Sequence, residues 1–309
     1  MFKRLIIFIL VFILLSVLFF YIGTDGLWKE TFSYRMNIYI QSIAVVLVLS
    51  FGGRVLQTML LNPLAEPYIL GVSSAASLGA VIAVFFSFSP VFLFRTLFSL
   101  GAAALVSFLI YLFSKKHNSF SIGTALLAGV GFNALFSSWI MLMQSLLRPN
   151  DLQSSILWLM GSIEYKGIYE LILLVVAAVV IIVFYTIKHR ELDIYLFGDE
   201  VALASGVDTG RLKKQSFILV SITTAIVVSI TGMIGFVGLV VPHIVKMVFG
   251  EGHKRSVLPL IFAGSGLMIG ATILSRHLLP GSILPIGMIT SLIGAPFFII
   301  LLVSLYRSR

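Results

Sequence analysis

GMIGFVGLVVPHIVKMVFG, residues 232–250, lies in a run that decides the fold. Between Lys214 and Lys246 stand 31 residues without a single Asp, Glu, Lys or Arg. One membrane-crossing helix needs about 20 residues and two need about 40. Lys and Arg crowd both flanks, which puts both ends of the run on the cytoplasmic side. The run is therefore expected to enter the membrane and return with at least one short helix. Gly232, Gly235 and Gly238 are the expected breaking points, followed by Pro242 and His243. Irregular backbone at membrane depth survives only where protein or a water-filled cavity receives its polar groups. Broken helices of this kind often line transport paths. A glycine-softened helix hairpin with no transport role fits the same letters.

Composition carries the reading outward. Of 309 residues, 59% are hydrophobic and 11% charged, and the mean hydropathy is +1.11. Soluble domains carry about 25% charged residues, so most of this chain belongs in lipid. With no cysteine there is no disulfide, thiolate metal site or thiol nucleophile. The net charge of +9 does not mark a nucleic-acid binder, because the charges sit in short loops between apolar spans. No polar segment is long enough for a separate soluble domain, so residues 1–309 are expected to form one transmembrane domain.

In chain order, spans are expected at about 5–23, 37–60, a third ending near Ser87, and then 91–113, 121–147 and 167–187. The helix pair of the opening run follows, and the last two spans are expected at about 257–278 and 286–305. That makes an all-α protein of about ten membrane helices. The first apolar run is longer than the roughly 7–15 residues of a signal-peptide core and lacks a small-residue cleavage site, so it is expected to remain as a helix. Residues 24–36 are expected as an outer loop, Pro90 as an outer turn, and SSILWLMGSI within 148–166 as a surface helix at the outer mouth. LLPGSILPIG, with Pro280 and Pro285, is the last outer turn. Fourteen Lys and Arg fall in expected inner segments, among them Lys115 and Lys116 beside His117, and Arg307 and Arg309. Five fall in outer segments. Both termini are thus expected inside, in a multi-pass protein of the cytoplasmic membrane surrounded by lipid. Arg54 and Arg95 fall within spans. Arg54 lies close enough to the inner end for its head to snorkel, and an intramembrane Arg is equally a functional candidate.

Three further stretches stand out. LQTMLLNPLAEPYILGVSSAAS, residues 56–77, breaks a helix at Pro63 and Pro67, with Gln57, Asn62 and Glu66 around the break; it reads as an inner-surface loop followed by a tightly packed helix of small residues. GTALLAGVGFNALFSSW, residues 123–139, carries Gly123, Gly129 and Gly131 on a helix that presents either a packing face or a pathway face. Residues 188–214 form the longest charged stretch. Within it Asp199 and Glu200 open a helical run that ends at Gly206, and a second short turn follows near Thr209. Such a rigid knob suits a soluble partner; a solvated loop is the alternative.

Catalytic patterns are missing. There is no phosphate-binding G-x-x-x-x-G-K-[ST] loop and no H-E-x-x-H, so neither ATP hydrolysis nor zinc catalysis is expected of this chain. The five histidines lack metal-ligand spacing, and His243 reads as a hydrogen-bonded turn residue or as a ligand to cargo. No metal or cofactor is expected. Few ionisable residues lie within the spans, unlike a proton-driven carrier.

The opening stretch, followed by HKRSVLPL and LPIGMITSLIGAPFFIILL, resembles the permease family of ATP-driven importers for iron-siderophores, haem and cobalamin, the FecCD-type permeases. The likeness runs from about Arg35 to the C-terminus with its motifs in the family's order, and includes Gln57-x-x-x-x-Asn62-Pro63-Leu-Ala-x-Pro67. Where the family has a small residue, this chain has Arg54. The resemblance implies a type II importer permease that forms a homodimer. Two ATP-binding cassette subunits would bind below and an extracytoplasmic substrate-binding protein above. It makes 188–214 the ATPase-coupling loop, carried by Gly198, Glu200, Ala202 and Gly206. It places Gly129, Gly131, Asn133, Gly235, Gly238, Pro242 and His243 along the translocation path. It assigns Arg35 and Arg276 to binding-protein docking, although only the first Arg of the family's Arg-Leu-Pro-Arg segment survives at Arg35. A secondary transporter working without an ATPase is the rival reading.

Overall fold

The computed structural model describes residues 2–22, 28–88, 90–116, 119–279 and 282–307. The outer-loop residues 23–27, His117, Pro280 and Arg309 lie outside them. The described chain is helical apart from a two-residue hairpin, Lys115–Lys116 with Ser119–Phe120, at an inner turn. Seven helices are long and apolar enough to cross a membrane: α1 (Phe2–Tyr21), α2 (Trp28–Met59), α4 (Val91–Ser114), α5 (Ile122–Ser145), α7 (Ile168–Tyr195), α9 (Thr209–Thr231) and α11 (His253–His277). Three further apolar helices, α3 (Val72–Phe85), α10 (Val237–Phe249) and α12 (Ile286–Arg307), bring the apolar helices among the described residues to ten, in line with the about ten expected.

α2 is the axle. It packs against α7, α9, α10 and α11, and most of its apolar window is buried, whereas α1 lies almost wholly on the outside. The expected outer loop 24–36 is largely helix, because Trp28–Met36 holds no Gly or Pro to stop it. Its 32 residues reach about 48 Å, well beyond the ~30 Å hydrocarbon core. α7 likewise runs past Lys188 to Tyr195 and stops only at the turn of Gly198, whose φ is +102°. The turn expected near Thr209 is the start of α9, where Asp208 Oδ1 accepts the Arg211 N–H at 2.9 Å. The charged stretch thus holds one short helix, α8 (Asp199–Ala204), not two. The outer surface helix, α6 (Pro149–Leu159), begins earlier than SSILWLMGSI because Pro149 takes a first-turn position where no N–H is needed.

Candidate functional site

The run that opened the sequence reading is broken as expected. α9 ends at Thr231, residues 232–236 are irregular, and α10 has only 13 residues. Gly232 takes φ +74° and Phe236, with a full side chain, takes φ +66°. In lipid each orphaned amide is worth several kcal/mol, so every donor here needs a partner. Two come from the Pro-rich segment between α2 and α3. The Phe236 N–H donates to Glu66 Oε1 at 2.7 Å, and the Ile234 N–H donates to Tyr68 Oη at 3.0 Å. One more contact ties the end of α9 to the segment after α6: Ser162 N–H donates to Thr231 O at 2.8 Å, and the same segment holds the start of α12, Ile286 N–H donating to Gly161 O at 2.9 Å. The ring of Phe236 lies on Gly294 of α12, so its strained backbone is held from both sides.

The motif 62–71 is therefore not simply an inner-surface loop. Asn62 is exposed, its Oδ1 accepting the Leu64 N–H at 2.9 Å, but Pro67 is buried against the start of α10 and Leu70 is buried beside α5. Gln57 Nε2 reaches the carbonyls of Ala65, Gly238 and Leu239 at 3.4–3.5 Å. Gly53 and Gly238 are where backbones touch: a Cβ on Gly53 would lie 1.9 Å from Gly238 O, and one on Gly238 2.9 Å from Leu49 O. Gly235 is not such a point, for its Cβ would meet only Ser291 Oγ at 3.9 Å. His243 stands inside a helix rather than a turn. It is buried, its ring edge-on to Phe297 at 6.0 Å, and its Nδ1 has no hydrogen-bond partner among the described residues. Pro242 is buried in the same helix. On α5, Gly129 is packed on the Ile69 and Leu70 backbone, Asn133 is half-buried, and Gly131 faces open space. The expected path residues thus divide between a packed interior seam and the open face of α5.

In the most charged segment, α8 lies between two left-handed glycines, Gly198 and Gly206. Lys213 Nζ pairs with Asp199 Oδ2 at 2.7 Å and bolts α8 to α9. Burial pushes the Asp199 carboxyl up, but hydrogen bonds from Lys213 and Thr209 outweigh it and hold the group below its ordinary value. Glu200 is exposed, and Ala202 is fully buried and so faces the protein. The outward side chains are ones the sequence reading passed over: Phe197, Val201 and Leu203, exposed by 75%, 48% and 55%. Large apolar residues interleaved in the most charged loop were the available signal.

Beside α8 lies a polar cluster. Arg54 is buried in α2, and its Nη2 donates to the Glu251 carbonyl and stands 3.4 Å from Glu251 Oε2. Lys246 Nζ pairs with Glu251 Oε1 at 2.6 Å. His253 gives both its backbone N–H (2.8 Å) and its Nδ1 (2.7 Å) to Asp193 Oδ1, and its Nε2 lies 2.8 Å from Thr58 Oγ1. Arg54 does not snorkel free: its head is gripped by the α10–α11 turn.

A cavity of about 850 Å³ is lined by Arg95, Asp151, Ser154, Trp158, Glu164 and Lys166. Arg95 sits near the start of α4, its Nη2 donating to Ser154 Oγ at 2.9 Å. Arg35 donates to the α1 carbonyls of Phe19 (3.1 Å), Phe20 (3.0 Å) and Ile22 (2.5 Å). Arg276 donates to Ile163 O at 3.1 Å and covers the Tyr34 ring at 5.9 Å. Both anchor helix ends. Among the described residues no His, Asp or Glu cluster suits a metal ion.

Known proteins share this design. A family model described as the FecCD transport family matches residues 5–304. An ABC transporter permease protein of Bacillus subtilis is 39% identical over 264 residues, covering 84% of this chain and 74% of its own. The iron(3+)-hydroxamate import system permease of the same organism is 33% identical, covering 92% and 86%. A metal-chelate type ABC transporter solved in an inward-facing conformation superposes with TM-score 0.85 at 28% identity, covering 98% and 99%.

Proposed function

The chain belongs to the FecCD transport family as a multi-pass permease subunit of an ABC importer, and we propose the following working assembly. Two copies pair across the exposed apolar faces of α5 and α12. Two separate ATP-binding subunits seat on α8, and a substrate-binding protein delivers a metal chelate to the outer mouth. Iron-siderophore, haem and cobalamin chelates are the cargo class. Both termini face the cytoplasm, as the distribution of Lys and Arg supports. The observation that carries the coupling reading is α8 itself, a braced knob that turns Phe197, Val201 and Leu203 outward on the most charged segment. Solvent-exposed apolar clusters of this kind mark protein contacts. Residues 188–214 are thereby the coupling segment. Gly198 and Gly206 set its turns, Glu200 faces the partner, and Ala202 roots it in the body. The broken segment, with Gly238, Pro242 and His243 behind it, borders the path. Arg276 contributes to the binding-protein rim, with Arg35 serving chiefly to fix α1. The test is uptake of a ferric hydroxamate into liposomes holding this permease. Uptake is expected only with the ATP-binding subunit, the binding protein and ATP all present. Uptake by the permease alone would contradict the proposal and favour a self-sufficient carrier.

A further inference from the structure

The cluster around Arg54 joins the two halves of the proposed machine, and its contacts can be followed atom by atom. The chain of contacts starts at the end of α7 that runs on into α8. The last turn of α7, which leads into α8, holds Asp193. Asp193 Oδ1 accepts two hydrogen bonds from His253, the first residue of α11. Two residues earlier, Glu251 is gripped by Arg54 from α2 and Lys246 from α10. The neighbour of Arg54, Gly53, touches the Gly238 backbone, and Gln57 one turn on reaches the Gly238 and Leu239 carbonyls. Gly238 is the second residue of α10, directly after the broken segment. Thr58 closes the loop by meeting His253 from α2.

These links differ from the surrounding packing. Apolar contacts have no preferred direction, whereas charge-assisted hydrogen bonds are short and directional. The turn Gly250–Gly252 is fixed to α2, α7 and α10 at once by such bonds. Arg54 supplies the only guanidinium among them.

We propose that Arg54, Glu251, His253 and Asp193 are positioning residues that carry displacement of α8 to the broken helix α9–α10. This rests on the reading of α8 as the ATPase seat. The chain contains no cysteine, so single introduced thiols can be spin-labelled cleanly. Ser205→Cys reports on α8 and Met233→Cys on the broken segment; both positions are exposed. Each is introduced into the permease co-purified with its ATP-binding subunit, and the label spectrum is compared before and after trapping with ATP and vanadate. In the wild-type background both labels are expected to shift. With Arg54→Met the Ser205 label still shifts and ATP hydrolysis continues, while the Met233 shift falls about fivefold, the scale of an ordinary coupling between sites. Arg54→Lys restores part of it. Glu251→Gln, at a half-exposed carboxyl that leaves folding intact, gives the same separation.

A full Met233 shift in both Arg54→Met and Glu251→Gln overturns the link. So does a parallel loss at both labels, which would mark the cluster as merely structural. If trapping leaves the Ser205 label unmoved in the wild-type background, the seat itself is wrong, and that failure is distinct from failure of the link.

Discussion

Two regions of this molecule use left-handed backbone, and they use it for opposite ends. At α8, Gly198 and Gly206 have positive φ, yet a Cβ at either position would meet nothing within 4 Å. Glycine is needed there for conformation alone. At the break, Gly232 also has positive φ, but a Cβ there would lie 2.2 Å from Trp158 O, and the nearby Gly53 and Gly238 are jammed against backbone. There glycine is needed for space. Around the knob's glycines the space is open; around Gly232 and Gly238 the protein backbone fills it.

The comparison ranks the substitutions. Gly53→Ala and Gly238→Leu drive carbon into backbone that cannot yield, and both are expected to abolish uptake. Gly53→Ala should also reduce the yield of folded protein, read by size-exclusion profile. Normal uptake by either would erase the distinction between the two regions. Glu66→Ala comes next, because it orphans the buried Phe236 amide; the loss of stability should be about 1–3 kcal/mol. Glu66→Gln keeps an acceptor oxygen and should retain most of it, so the two thermal unfolding curves should separate clearly. Gly206→Ala meets only the penalty of left-handed backbone, about 1–2 kcal/mol confined to one turn. Its global melting should barely change while transport per ATP hydrolysed drops. Gly235→Ala should do least of all, since space is open there.

A pH series sharpens the same contrast at the carboxylates near α8 and the α10–α11 turn. At Glu251 burial pushes the carboxyl up, but Lys246 and Arg54 together outweigh it and hold the group below its ordinary value of 4.5. Asp199 is held below 3.8 despite its burial. A depressed folded value means that the tie is intact above the ordinary value and is lost as pH falls through the folded one. Thermal stability should therefore be indifferent to these two groups near neutrality and decline only in acid. A decline setting in around pH 6 would implicate a histidine instead.

Much of this was legible beforehand. The 31-residue run was too short for two helices, so at least one short helix followed from length alone; α10 is that helix. Small residues from Ser73 to Ala76 announced the tight packing of α3, and Ser73, Ser74, Ala75 and Ala76 are indeed buried. What could not be read depended on partners distant in sequence. Nothing local shows that Glu66 and Tyr68 would satisfy amides at Phe236 and Ile234, since that pairing exists only once α2 and α10 are side by side. Arg54 posed the same difficulty, because its partner lies 197 positions away. Helix ends were missed where the helix continues past its apolar run into charged and polar residues, as at Trp28 and Tyr195. Gly235 lies in the break as expected, but letters alone do not show that it touches nothing while Gly238 touches backbone.

The central claim is that α8 seats a separate ATPase through its outward apolar side chains. Burying a leucine or valine is worth about 1.5–3 kcal/mol, so replacing two of them with aspartate should be decisive. The direct measurement is the affinity of the ATP-binding subunit for the purified permease, wild type against Val201→Asp plus Leu203→Asp. The account predicts at least about a hundredfold weaker binding in the double variant, with unchanged thermal stability of the permease alone. Equal affinity in the two proteins would contradict it and place the ATPase seat elsewhere.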